Sequence, residues 1–339
     1  MTYSMSDRTF NRRDVLGFAV SAAASASLAV LRSTPCRAET TKSEESSNFR
    51  TLEELVASPI IDTHQHLWDL KKYKLPWVKR GDLMDRDYLE ADYLRAVEGL
   101  NVVKTVYMEV DVDPSQQLAE SEEVTAICAS GSTLMKAAVV SGRPASPGFA
   151  DYAARFRGDR YIKGLRQVLH GPNNSAGFCL KPEFIAGIGL LGELGLSFDL
   201  CMRPGELGDA AKLVDQCPDT RFILDHCGNP DVQAKDNSAW KRSIDELAKR
   251  DRVVCKVSGL VESAKHGAWS ADDLAPYVNH VIEAFGWDRV IFAGNWPVCT
   301  VTATFAEWVN ALKTIVHDRP LENQKKLFHD NAVRLYDIK

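Results

Sequence analysis

An α/β fold, a (β/α)8 TIM barrel with extra C-terminal helices, is what the sequence predicts, and three observations predict it. The chain has 339 residues and 45% hydrophobic content, which suits one large barrel better than a small domain. Eight near-continuous apolar runs, not alternating ones, have the pattern of parallel strands covered on both faces. Segments with apolar residues at three- and four-residue spacing separate those runs, and eight such β/α units are the count of a closed barrel. A doubly wound open sheet is the competing arrangement. It usually carries a Gly-rich loop after its first strand, where this chain has His64-Gln65-His66.

In chain order, residues 1–38 are expected to be an export signal. The charged stretch Asn11-Arg12-Arg13-Asp14-Val15-Leu16-Gly17 precedes a run rich in Ala, Ser, Val and Leu over 18–31. The adjacent arginines resemble a twin-arginine signal, Cys36-Arg37-Ala38 offers a cleavage pattern, and a periplasmic location follows. Residues 39–57 are a polar linker and a short helix. The barrel occupies 58–339. Its strands are expected at 60–63, 103–110, 134–140, 162–169, 196–202, 221–225, 253–258 and 290–293. Helices are expected at 90–98, 114–129, 147–156, 181–194, 206–216, 238–249 and 271–285, with two more at 304–316 and 322–336. Ser115, Ser238 and Ser270 stand where N-caps belong. The stretch 67–87 has little periodicity and follows the first strand, so it is expected to be a lid or wall at the barrel mouth.

A net charge of −5 and a pI near 5.9 argue against nucleic-acid binding, which needs a basic face. No apolar stretch after residue 40 reaches the length of a membrane span. The eight cysteines form no Cys-x-x-Cys pair, so neither a zinc ribbon nor a disulfide framework is expected.

Barrel chemistry sits where strands end, because the loops there converge on one mouth. Strand one brings His64 and His66, strand two Glu109 with Asp111 beyond it, and strand four Arg166 and then His170. Strand five ends in Arg203, strand six in Asp225 and His226, strand seven carries Lys256 and Ser258, and strand eight runs into Asn295-Trp296. Strand three brings no ionisable group. Two imidazoles one strand repeat apart can grip one divalent ion, or one can bind while the other handles a proton. The cations beside them suit an anionic or hydroxyl-rich small molecule.

The motifs also have a collinear order: Asp62-Thr63-His64-Gln65-His66-Leu67-Trp68, Gly164-Leu165-Arg166, Leu224-Asp225-His226-Cys227-Gly228-Asn229-Pro230 and Lys256-Val257-Ser258-Gly259-Leu260. Phe292-Ala293-Gly294-Asn295-Trp296-Pro297-Val298 and Asn331-Ala332-Val333-Arg334-Leu335-Tyr336 come after these. Over 58–337 this resembles the amidohydrolase-related barrel hydrolases, in the branch that holds fuconolactonase, rhamnonolactonase and the pyrone-dicarboxylate and muconolactone hydrolases. The resemblance implies a site at the barrel mouth, hydrolysis of lactones or related esters, and at most one or two divalent metals. One position departs: the family's strand-eight phrase carries Asp, a metal ligand or base, where this chain has Asn295. A neutral amide cannot take a proton at pH 7.

The expected mechanism is lactone opening by activated water. A Zn²⁺ or similar ion would be held by His64, His66 and Glu109. His226 would be the base, on the strength of an ordinary imidazole pKa, with Lys256 and Asn295 beside it. Arg166 and Arg203 would bind the substrate, and Trp68 and Trp296 would offer flat faces to a sugar ring. A metal-dependent decarboxylase and a non-catalytic sugar-acid binder are the two alternatives.

Overall fold

The structure, a computed structural model, describes residues 58–171 and 174–338. The expected signal and linker lie outside them. Eight parallel strands run in sequence order: β1 (Ile60–Gln65), β2 (Val102–Met108), β3 (Met135–Ser141), β4 (Ile162–Val168), β5 (Ser197–Cys201), β6 (Arg221–Leu224), β7 (Val253–Val257) and β8 (Val290–Phe292). Between them lie α1 (Glu90–Ala96), α2 (Gln117–Ser130), α3 (Phe149–Ala154), α4 (Pro182–Glu193), α5 (Leu207–Gln216), α6 (Ser238–Ala248) and α7 (Ala271–Phe285). Past β8 come α8 (Phe305–Val316), α9 (Leu321–Lys325) and α10 (Asn331–Tyr336). This is the (β/α)8 barrel with C-terminal helices that the alternation predicts. No helix among the described residues is long and apolar enough to cross a membrane.

The strands are buried on both faces, which explains their unbroken apolar runs. The inner layer is made of Ile61, Val106, Met108, Ala137, Val139, Ile223, Val254 and Ile291. Ala332 and Tyr336 of α10 close it, together with Ile338. The outer faces meet the helices. In α7 the buried set Leu274, Tyr277, Val278, Val281, Ile282 and Phe285 has helical spacing, and Ser270 caps the helix together with Asp273.

The seam between β8 and β1 is closed by a few bonds. His66 N–H donates to the Trp296 carbonyl (2.9 Å), and Thr63 Oγ1 donates to the Phe292 carbonyl (2.7 Å). The buried Asp62 carboxylate accepts from His64 N–H (3.0 Å), Gly294 N–H (2.7 Å) and the Tyr93 hydroxyl (2.9 Å). Between Asp62 and Gln65 the register of β1 against β2 slips by one residue. The strand's alternation changes phase there, so Ile61 belongs to the inner layer and His64, three residues on, also turns inward.

Three local expectations change. Ser115 is not a cap: it lies inside a 3-10 turn, Pro114–Gln116, capped by Asp113, whose carboxylate accepts from Ser115 N–H (3.0 Å). Ser238 is the first helical residue of α6, behind Asn237. The helix expected over 322–336 is broken by a π turn, Lys326–Asp330. The stretch 67–87 is pinned at its base by paired bonds between Trp68 and Tyr88, and Trp77 Nε1 donates to the Val110 carbonyl (2.7 Å), so it forms a wall at the mouth. The seven described cysteines are buried and free, as expected of small apolar residues; Cys36 lies outside the described residues.

Candidate active site

The strand ends deliver a buried layer of charge. Lys256 on β7 donates from Nζ to Asp199 Oδ2 on β5 (2.6 Å) and lies 3.0 Å from Asp225 Oδ1, just past β6. Arg166 on β4 donates from Nε to Glu109 Oε1 (2.7 Å), from Nη2 to the Glu109 carbonyl (2.7 Å) and from Nη1 to Asp225 Oδ2 (3.2 Å). The second Glu109 oxygen accepts from Asp111 N–H (2.6 Å). His64 sits between the cations, with Nε2 3.3 Å from Arg166 Nη1 and Nδ1 3.4 Å from Lys256 Nζ. His64, Glu109, Asp199, Asp225 and Lys256 are fully buried.

Charges this deep persist only because they face one another. Burial opposes the Lys256 ammonium, but Asp199 and Asp225 outweigh it and hold the group above the ordinary lysine range. Burial likewise opposes the Asp225 carboxylate, and Lys256 and His64 hold it well below the usual carboxylate range. Asp199 goes the other way, pushed up to about 6 by burial.

Above this layer opens a cavity of about 680 Å³. His66 and His226 line it. His66 Nδ1 donates to the Met108 carbonyl (2.9 Å), which leaves Nε2 free as an acceptor. His226 Nδ1 lies 2.9 Å from Ser258 Oγ, which leaves its own Nε2. Burial pushes both imidazoles down to about 3. His226 therefore stays neutral through the physiological range and is a weak base, against the expectation of an ordinary imidazole pKa. His226 also has φ 56°, and a Cβ on Gly259 would lie 2.2 Å from His226 Cβ, so only glycine lets the β7 loop pass the ring.

Of the residues picked from sequence, His66, Asp111, Arg166, His170, His226 and Asn295 line the cavity. His64, Glu109 and Lys256 lie in the buried layer beneath. Trp68 and Trp296 do not reach the cavity. They are only 2% and 3% exposed, each in an edge-to-face contact with Tyr88, because surface that large is best removed from water. The flat face at the mouth is Trp77. Arg203 pairs with Glu206 (2.9 Å) and donates to the carbonyls of Gly171 (2.7 Å) and Asn174 (2.9 Å), bracing a loop of the cavity wall. The set of ligand atoms that comes together among the described residues is not the expected one: His64, Asp225 and His226, and not His66 and Glu109, have theirs within 4.8 Å of one another.

Four groups escape a survey of strand ends. Arg143 stands two residues past β3, the strand expected to bring nothing ionisable, and donates to Asp111 (2.6 Å) at the cavity edge. Asp199 is visible in the sequence as a lone charge in the apolar run 196–202. Trp77 and Glu262 carry no periodic signal. Glu262 lines the cavity from the turn Val261–Ser263 and accepts from Asn295 Nδ2 (2.6 Å).

The chain is similar to known proteins in sequence and in fold. The chain is 29% identical over 304 residues to the Sinorhizobium fredii protein y4mH, covering 82% of this chain and 98% of that one. It is 26% identical over 290 residues to an L-fucono-1,5-lactonase of Burkholderia multivorans, covering 82% and 96%. A zinc-bound amidohydrolase structure from Burkholderia multivorans superposes with TM-score 0.74 at 24% identity, over 83% of this chain and 100% of that one, which shows the fold. The Amidohydrolase family pattern matches residues 61–338, the whole barrel from the second residue of β1 to the segment that closes its base, and the chain belongs to that family.

Proposed function

We propose that the barrel opens a lactone, of a sugar acid or a related cyclic ester, by activated water. What carries this is the cavity: a fixed guanidinium and two neutral imidazoles face one open-mouthed cavity beside hydrogen-bonding groups, on a chain that aligns with an L-fucono-1,5-lactonase over most of its length. Arg166 is held rigidly by Glu109 and Asp225, so its charge is already aimed where a carbonyl oxygen becomes negative, and no reorganisation is needed as it does. The free Nε2 of His66 accepts from a ring hydroxyl, and His226, neutral, orients the water or the carbonyl. Trp77 gives a flat apolar face to the ring, while Arg143, Gln167 and Asn174 answer polar substituents.

The donor set also fits a divalent ion such as Zn²⁺. His64, Asp225 and His226 would hold it, and three buried carboxylates against two buried cations leave a negative charge for it to meet. Bound there, it would polarise the carbonyl and acidify water. The twin-arginine stretch supports export to the periplasm.

The test is proton release from L-fucono-1,5-lactone and L-rhamnono-γ-lactone, run beside CO2 release from hydroxybenzoates. Saturable proton release is expected. CO2 release without lactone opening would mark a decarboxylase, and a folded protein that does neither would be a binder.

A further inference from the structure

The strand-eight residue that faces the cavity is an amide, Asn295, yet water attack on an ester needs somewhere for the water's proton to go. Asn295 has φ 53°, a left-handed conformation that asparagine adopts more readily than most residues. Its Nδ2 donates to Glu262 Oε1 at 2.6 Å. The other oxygen, Oε2, is buried and has no hydrogen-bond partner. Glu262 thus lines the cavity from the β7 loop with Oε1 fixed by Asn295, while Oε2 stays buried just behind the lining with its acceptor capacity unused. An acceptor left unmade in a buried place is costly, and it persists where something else is meant to meet it.

We propose that Glu262 is the carboxylate base of this cavity, held in position by Asn295. This rests on the lactone-opening assignment above and names the group that assignment lacks. The step is balanced. A water oxygen bonds to the lactone carbonyl carbon, its proton passes to Glu262 Oε2, and the carbonyl π pair moves onto oxygen beside Arg166. On collapse the carbon–ring-oxygen bond breaks and the ring oxygen takes the proton back from Glu262. The hydroxy acid formed then loses its carboxyl proton to solvent.

The pairing also accounts for the amide at 295. An Asp there would set two carboxylates at hydrogen-bond distance, and two such groups cannot both ionise. The chain keeps one carboxylate and turns its neighbour into the donor that orients it. Glu262 is only partly enclosed as a residue, but its carboxyl is pushed up to about 7 by burial, against the pull of its own backbone amide and of Asn295. Other titratable groups near it are the Cys299 thiol, from the turn Val298–Val301, and His226, packed against Gly259 of the same loop. A base must be ionised to work, so kcat/KM should climb with pH through about 7 and level off above it.

Glu262→Gln keeps the shape and removes the base. It is expected to lower kcat by about 100-fold or more and to abolish the acid limb of the pH profile, with thermal unfolding unchanged. Activity within threefold of wild type, or an unchanged acid limb, overturns the proposal. In parallel, the Glu262 carboxyl of the wild-type protein is titrated by carbon-13 NMR, assigned by the signal missing in Glu262→Gln. Should the variant not fold, Glu262→Asp supplies the assignment. Titration near 7 is expected, and an ordinary carboxylate value overturns the proposal. Wild-type turnover tests lactone opening by itself: if the wild type opens no lactone, that assignment fails, and the carboxyl titration alone then decides whether Glu262 is poised as a base.

Discussion

Lys256→Met is expected to destabilise the barrel by about 3–5 kcal/mol, the largest stability effect of any single change in the site. Lys256 is fully buried, and its ammonium lies between Asp199 Oδ2 at 2.6 Å and Asp225 Oδ1 at 3.0 Å. Methionine fills the space of the stem but leaves two carboxylates in the interior with a counter-charge removed. Asp225 also touches Arg166, so Asp199 loses most. Asp199→Asn in the Lys256→Met background should therefore recover part of the loss, because the amide needs no cation; pairs this close do not add independently. Urea unfolding of the two single variants and the double variant checks this. A Lys256→Met loss below about 1 kcal/mol would mean that the ammonium is not holding the strand ends together.

Arg166→Met is expected to reduce kcat by about 100- to 1,000-fold, the cost typical of removing a preorganised oxyanion donor. Arg166→Lys should not restore it. The guanidinium serves Glu109 through two nitrogens and Asp225 through a third, and an ammonium on a shorter reach cannot make those bonds together. Steady-state kinetics on the opened lactone, with a far-UV spectrum to show that the variant is folded, checks the prediction. A change in KM with kcat intact would place Arg166 in substrate binding and not in the reacting step.

The barrel is legible in the sequence because its rules are local. Apolar runs covered on both faces mark parallel strands, and strand ends mark the mouth, so the chain alone points to His66, Arg166, His226 and Asn295 as cavity residues. Depth is not legible. His64, Glu109 and Lys256 stand at the same strand ends, yet the register slip in β1 and the ion pairs among them set these residues below the cavity floor. Trp68 and Trp77 are both aromatic and both in the stretch after β1, and only the path of that loop decides that Trp77 meets the cavity. Glu262 lies five residues past the end of β7, in a 3-10 turn without periodicity, so its meeting with Asn295 depends on how two loops cross. The ordinary imidazole pKa expected of His226 fails for a similar reason: burial is a property of the folded site, not of the residue.

A crystal structure with the hydroxy acid that lactone opening releases tests the central claim most directly. The account predicts that acid in the mouth cavity, its carboxylate against Arg166 with Glu262 and His226 around the same carbon, its ring-derived hydroxyls toward His66 and its carbon chain against Trp77. An acid bound elsewhere on the barrel, or seated in the cavity with its carboxylate turned away from Arg166, would contradict it.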